Sequence, residues 1–176
     1  MTEEKFWELI EESKQTGRSA QPSILLGLLV GLPCDEIVSF FEIQRAKMSE
    51  LYVFDVLAAC FLICSYVSDD VFEDFTSWVV AQGRESHLAV RTDPTALCEI
   101  IAREDVDGID WGAFAYIADE AYTQKTGKEE LIERAEIAAA PDIEEDWPKT
   151  RGGLRQRYPE LYDEFWDEDR TLEIHS

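Results

Sequence analysis

The chain has 176 residues, 45% of them hydrophobic and 11% aromatic; that apolar content builds one packed core of the size a domain of about 100–200 residues carries, and it excludes a disordered chain. Its 38 acidic residues face 16 basic ones, and the net charge of −22 excludes binding nucleic acid through its phosphates and disfavours an anionic membrane surface. The acid excess serves solubility, in a high-salt host included, and it suits recognition of a basic protein.

The opening "MTEEKFWELIEESKQ" is acidic and amphipathic where a signal peptide starts basic and runs apolar, so a cytoplasmic location is expected. Thr2 is placed to cap a first helix with Phe6, Trp7, Leu9 and Ile10 at helical spacing, Glu3 and Glu4 in its first turn and Gly17 as its stop. "QPSILLGLLVGL" carries a proline near its first turn and is apolar on most sides, which predicts a central helix stopping at Gly31; Pro33 marks the next boundary. "CDEIVSFFEIQRAKM" predicts a third helix with Ile37, Phe40, Phe41, Gln44 and Met48 along one side. "SELYVFDVLAACFLICSY" predicts a helix buried around most of its circumference, with Leu51, Phe54, Val56, Leu57, Phe61 and Leu62 in its apolar band. Its apolar run of about twelve residues falls short of the roughly twenty a membrane span needs. Asp55 sits amid that band and must face solvent or find a partner.

"SDDVFEDFTSWVVAQGRE" follows, with Ser68 as cap, Asp69 and Asp70 complementing the helix dipole, Phe72, Phe75 and Val79 as an apolar stripe flanked by Val71 and Trp78, and Gly83 as stop. Asp70, Glu73, Asp74 and Ser77 lie on the other side. Asp93 and Pro94 start a helix in "DPTALCEIIARED", "DWGAFAYIADEAYTQKTG" is helical up to Gly127, and "KEELIERAEIAAA" continues the helical pattern up to Pro141. This gives a helical core over residues 1–140. Residues 141–176 form an acidic extension with prolines and a glycine pair; Leu154, Tyr158, Leu161, Tyr162, Phe165 and Trp166 suit short helices docked on the core, and the last residues are expected to fray. No segment alternates as a strand. The expected fold is all-α, a compact single domain of about eight to ten short helices.

Chemistry is harder to find. Cys34, Cys60, Cys64 and Cys98 form no CxxC pair and read as buried small hydrophobes, and neither His87 nor His175 has a spaced ligand partner, so no metal or other cofactor is expected. The chain has no GxSxG, HExxH, phosphate-cradling glycine loop or GxGxxG after a strand, which points away from an enzyme. The segment "QGRESHLAVRTDP" gathers Arg84, Glu85, His87 and Arg91 in a basic spot within an acidic protein. Candidate ligand or partner contacts are Asp55, Asp70, Asp74, Trp78, Gln82 and Arg84, which would surround a pocket between the Asp55 and Trp78 helices.

"FWELIEESK", "LPCDEIVSFF", "YVFDVLAACFLI", the Ser68–Glu85 stretch, "DPTAL", "EAYTQKTG" and "RYPELYDEF" resemble, in order, a bacterial, actinobacterial-type family with a domain of unknown function. The resemblance implies an all-helical cytoplasmic protein in a regulatory, toxin-related or immunity-like setting. It carries over Phe6, Trp7, Asp55, Asp69, Asp70, Phe72, Phe75, Trp78, Gln82, Gly83 and Arg84 as shared core positions. Two departures stand out: Thr76 where the family often has arginine after "DF", and "CSY" before Ser68 where glycines are usual. The leading expectation is a non-enzymatic protein that acts by contact, as an acidic inhibitor or immunity-type partner of a basic protein. The alternative is a small-ligand receptor or enzyme using the candidate pocket, and a weaker one is a DNA mimic.

Overall fold

Thr2 and Ser68 cap the two helices whose starts are plainest in the sequence: each side-chain oxygen accepts the main-chain N–H three residues on, from Lys5 and Val71, at 3.3 Å. The computed structural model describes residues 1–166, apart from the side chains of residues 16, 103 and 104. The fold is all-α. The described residues form α1 Glu3–Ser13, α2 Gln21–Gly31, α3 Cys34–Ser49, α4 Phe54–Cys64, α5 Asp69–Ala81, α6 Arg84–Thr92, α7 Leu97–Ile100, α8 Ile117–Thr126, α9 Leu131–Arg134, α10 Arg151–Arg157 and α11 Pro159–Phe165. Tight 3-10 turns at Pro94–Ala96 and Trp111–Phe114 help join them, and no strand occurs among these residues. The expected fraying of the last residues, and His175, lie outside the described residues.

The core is organised by α4 and α5. In α4, Val56 through Ile63 are buried in succession, so the helix is enclosed nearly all round. In α5 burial is one-sided near the start and complete from Phe75 to Ala81, where α3, α6 and the Trp111–Phe114 turn close over it. Phe75 and Trp78 meet Trp111 at ring-centroid distances of 5.3 and 5.0 Å. Each such fully buried large side chain contributes about 1.5–3 kcal/mol by leaving water. On the far side α2 lies between α1 and α8, and α11 packs on α4 and α7 through Leu161, Tyr162 and Phe165.

Three expectations change. α2 is not central: only Gln21, Leu25 and Leu29 are buried, while Leu26, Leu28 and Val30 are half-covered, because packing on α1 and α8 encloses one flank. α4 starts at Phe54, since Ser49 to Val53 form a turn that tucks Leu51 into the core. Gly83 stops α5 as expected: the helix ends at Ala81 with Gln82 as its cap, Gly83 takes φ 102°, and a separate helix, α6, starts at once at Arg84. The helix read through to Pro141 stops after one turn at Arg134, where the Glu42 carboxylate accepts the Glu136 N–H at 2.8 Å and Arg134 reaches Asp35 (2.8 Å) and the Tyr122 hydroxyl (2.7 Å).

All four cysteines are free; Cys60 is buried and Cys34, Cys64 and Cys98 are half-buried. Burial pushes the Cys98 thiol up to about 11, which leaves it protonated and unreactive at neutral pH. Among the described residues no helix is long and apolar enough to cross a membrane.

Candidate functional site

The six candidate residues stand at separate places. Asp55, at the start of α4, is exposed and accepts the Tyr158 hydroxyl at 2.6 Å and an Arg157 N–H at 3.3 Å. Trp78 is core, against Trp111. Gln82 and Arg84 lie at the α5–α6 junction, about 18 Å along the helix from Asp70.

That junction is structural. Gln82 is buried and donates to the Trp78 carbonyl (3.0 Å), Gln21 donates to the Ala81 carbonyl (2.7 Å), and Lys14 donates to the Gln82 carbonyl (2.7 Å). Gln21 and Lys14 thus satisfy carbonyls that the helix end leaves open, Gln82 adds a second donor to the Trp78 carbonyl, and Lys14 complements the negative end of the dipole. Arg84 is exposed and forms no ion pair among the described residues, while Arg91 pairs with Glu50 at 2.8 Å. The basic spot expected here is therefore a helix whose inner face carries His87 and Val90.

His87 is buried beside Trp7, its Nε2 2.9 Å from the Lys47 carbonyl, so Nε2 carries the proton and donates. Burial lowers its pKa below the usual 6.5, with Lys47 and Arg91 adding to the effect against the opposing Lys47 carbonyl and Glu50. The unfolded chain then binds the extra proton first. This contribution to stability is complete above pH 6.5 and is lost as pH falls through the folded value. Urea unfolding between about pH 7.5 and about pH 5 should show a larger loss of stability for the wild type than for His87→Gln. Equal losses would remove this role.

A concave surface lies elsewhere, between the start of α5 and the irregular segment that follows α9. It is a groove of about 780 Å³. α4 supplies Leu57 and Phe61, the turn after α3 supplies Tyr52, α5 supplies Asp69, Asp70, Phe72 and Glu73, and the strap over residues 140–147 supplies Asp142, Ile143, Glu145 and Trp147. Tyr52 packs on Phe72 at 4.9 Å, and Trp147 sets its edge on Phe54 (5.0 Å) and Phe61 (5.3 Å). The loop that closes one end holds Ser65 in the left-handed conformation (φ 69°), and exposed Tyr66 follows it.

Arg157 pins the strap: it donates to the Asp146 carbonyl (2.9 Å) and carboxylate (2.8 Å), reaches Asp55, and lies over the Phe54 ring at 4.9 Å. Asp55 is therefore the anchor of the groove's outer wall rather than a lining residue. Burial and the bond to Asp55 raise the Tyr158 hydroxyl pKa, so this donor persists at every physiological pH.

Five carboxylates line the groove and no lysine or arginine does. Glu73 is neutralised by Arg45 at 2.6 Å and Glu145 accepts the Trp147 indole N–H at 2.6 Å. Asp69, Asp70 and Asp142 form no ion pair among the described residues, and all three are exposed. Asp74, a turn beyond Asp70, is half-buried in an adjoining depression of about 360 Å³ that shares the Ser65–Tyr66 wall and is backed by Val106, Ile109 and Trp111. Burial raises its pKa, and Glu73, Asp70 and Asp110 add to the rise. Of the six candidates, then, Asp70 lines the groove, Asp74 its neighbour, and Asp55 holds the strap. Among the described residues no three His, Cys, Asp or Glu side chains are grouped to hold a metal ion.

Fold and groove together define an all-helical protein with an acidic, aromatic-walled cleft on one face. The chain belongs to the family described as protein of unknown function (DUF4240), whose model matches residues 1–124. No curated protein and no solved structure matches it. The family match ends within α8, so the strap, α10 and α11, and with them the "RYPELYDEF" segment, lie beyond it.

Proposed function

We propose that the protein acts by contact with a basic protein, which it binds at the groove between α5 and the strap, in the manner of an acidic inhibitor or immunity-type partner. The observation that carries this reading is a groove walled by aromatic rings and five carboxylates with no cation of its own. Such a surface repels phosphate and attracts a cationic side chain, which the rings desolvate and the acids hold. A net charge of −22 steers a basic partner to the molecule from a distance and does so less as salt rises.

Affinity capture from the host tests this with charge-matched pairs. Wild-type protein should retain a basic protein that elevated salt releases. Asp69→Asn with Asp70→Asn should lose it, and the remote pair Glu129→Gln with Glu133→Gln should keep it. Capture that survives the groove pair, or that both pairs abolish alike, places the contact outside the groove and overturns the reading.

A further inference from the structure

The groove distinguishes between cations, an inference that rests on the reading above. Within the chain, cations at aromatic surfaces are arginines. Arg134 stands over Tyr122 at 5.6 Å and pairs with Asp35 at 2.8 Å; Arg155 stands over Tyr162 at 5.6 Å and pairs with Asp163 at 2.7 Å. Arg157 stands over Phe54 at 4.9 Å and pairs with Asp146 and Asp55. No lysine stands over a ring among the described residues. The physical reason is general. A guanidinium is planar and weakly hydrated, so its face rests on a ring while its N–H edge stays free for a carboxylate; an ammonium must give up more hydration to do the same.

The groove repeats this pattern with no guanidinium at Asp69, Asp70 or Asp142 among the described residues, since Arg45 is taken up by Glu73. It has the ring pairs Tyr52–Phe72 and Phe61–Trp147, and the carboxylates of Asp69, Asp70 and Asp142 have no cation among the described residues. It also has an open main chain. Residues 137–145 make no main-chain to main-chain hydrogen bond among the described residues, and most of them are exposed, so their N–H and C=O groups are free to meet an extended chain. We infer that the groove is a docking site for an arginine carried on an extended segment of the partner protein, with the guanidinium against the rings and the α5 carboxylates and the segment's backbone along the strap.

The test is fluorescence anisotropy of the full chain with short Gly/Ser peptides bearing arginine, lysine or citrulline at matched positions. The arginine peptide should bind about tenfold more tightly than the lysine peptide, and citrulline should abolish binding. Trp147→Leu should bring arginine and lysine to equal affinity, and Tyr52→Leu, on the opposite wall and independent of the strap, should do the same. Asp69→Asn with Asp70→Asn should weaken both cationic peptides alike. Equal affinity for arginine and lysine in the wild type overturns the arginine preference and leaves the cationic groove standing. Failure of both cationic peptides overturns the groove reading too, and free arginine binding as tightly as its peptide overturns the role of the segment.

Discussion

Gly83→Ala should destabilise the protein by about 2–4 kcal/mol, about 1 kcal/mol more than the same change at Gly17. Gly83 has φ 102° and ψ 172°, a region that side chains other than glycine's avoid at a cost of about 1–3 kcal/mol. A Cβ there would overlap the Glu11 carboxylate and stand 2.9 Å from Lys14 Nζ. Moving those side chains aside breaks the Lys14 bond to the Gln82 carbonyl and leaves a helix end unsatisfied, which adds about 1 kcal/mol or more. Gly17 shares the backbone strain (φ 97°) but has nothing within 4 Å of its would-be Cβ, so it isolates the backbone contribution. Denaturant midpoints of the two variants separate strain from contact. Adding Glu11→Ala to Gly83→Ala should recover part of the loss. Equal midpoints for Gly17→Ala and Gly83→Ala would show that the contact with α1 contributes nothing.

This junction also shows where sequence reasoning reached its limit. The caps at Thr2 and Ser68, the stops at Gly31 and Gly127 and the stripe of Phe72, Phe75 and Val79 are local signals, and local physics delivers them. Gly83 reads as a stop, and α5 does end before it; what no local signal announces is that α6 starts at once and that Lys14, far away in the chain, docks on the Gln82 carbonyl. Similarly "LIERAEIAAA" has helical propensity throughout, yet Glu42 of α3 takes the Glu136 N–H and turns the chain out of the helix. α2 shows the converse: it is apolar on most sides, which predicts a central helix, and only the position of α1 and α8 leaves Leu26, Leu28 and Val30 half-covered.

The candidate site divides the same way. Asp69 and Asp70 are evident from the sequence as first-turn acids, and their helical geometry is that of dipole complements. Their place on a groove wall depends on the strap, which has no periodicity to announce it. One signal was present: in "DIEEDW" two apolar residues, Ile143 and Trp147, stand among four acids after Pro141, and both reach the groove. Asp55 must face solvent or find a partner, and it does both: it is exposed, and Tyr158 and Arg157, more than a hundred positions away, bond it.

The strap makes the groove, so cutting its anchors should abolish binding while leaving the core folded. Trp147→Ala removes the ring that packs on Phe54 and Phe61 and should cost about 2–4 kcal/mol of partner affinity, roughly 30- to 1,000-fold. Arg157→Lys should come close to it, because one ammonium cannot span the Asp146 carbonyl, the Asp146 carboxylate, Asp55 and the Phe54 face that the guanidinium joins. Global stability should fall by only about 1–2 kcal/mol, since the exposed ion pairs of Arg157 contribute little and the strap buries few residues. The chain beyond the strap is held independently, by Leu154, Leu161, Tyr162 and Phe165 in the core against α4 and α7. Limited proteolysis should therefore open the strap between α9 and α10 while α11 stays protected, and the loss of affinity should follow that opening. A strap that remains protected in Trp147→Ala, or binding that survives once the strap is cut, would mean that α5 alone forms the docking surface and that the family-matched residues suffice without the extension.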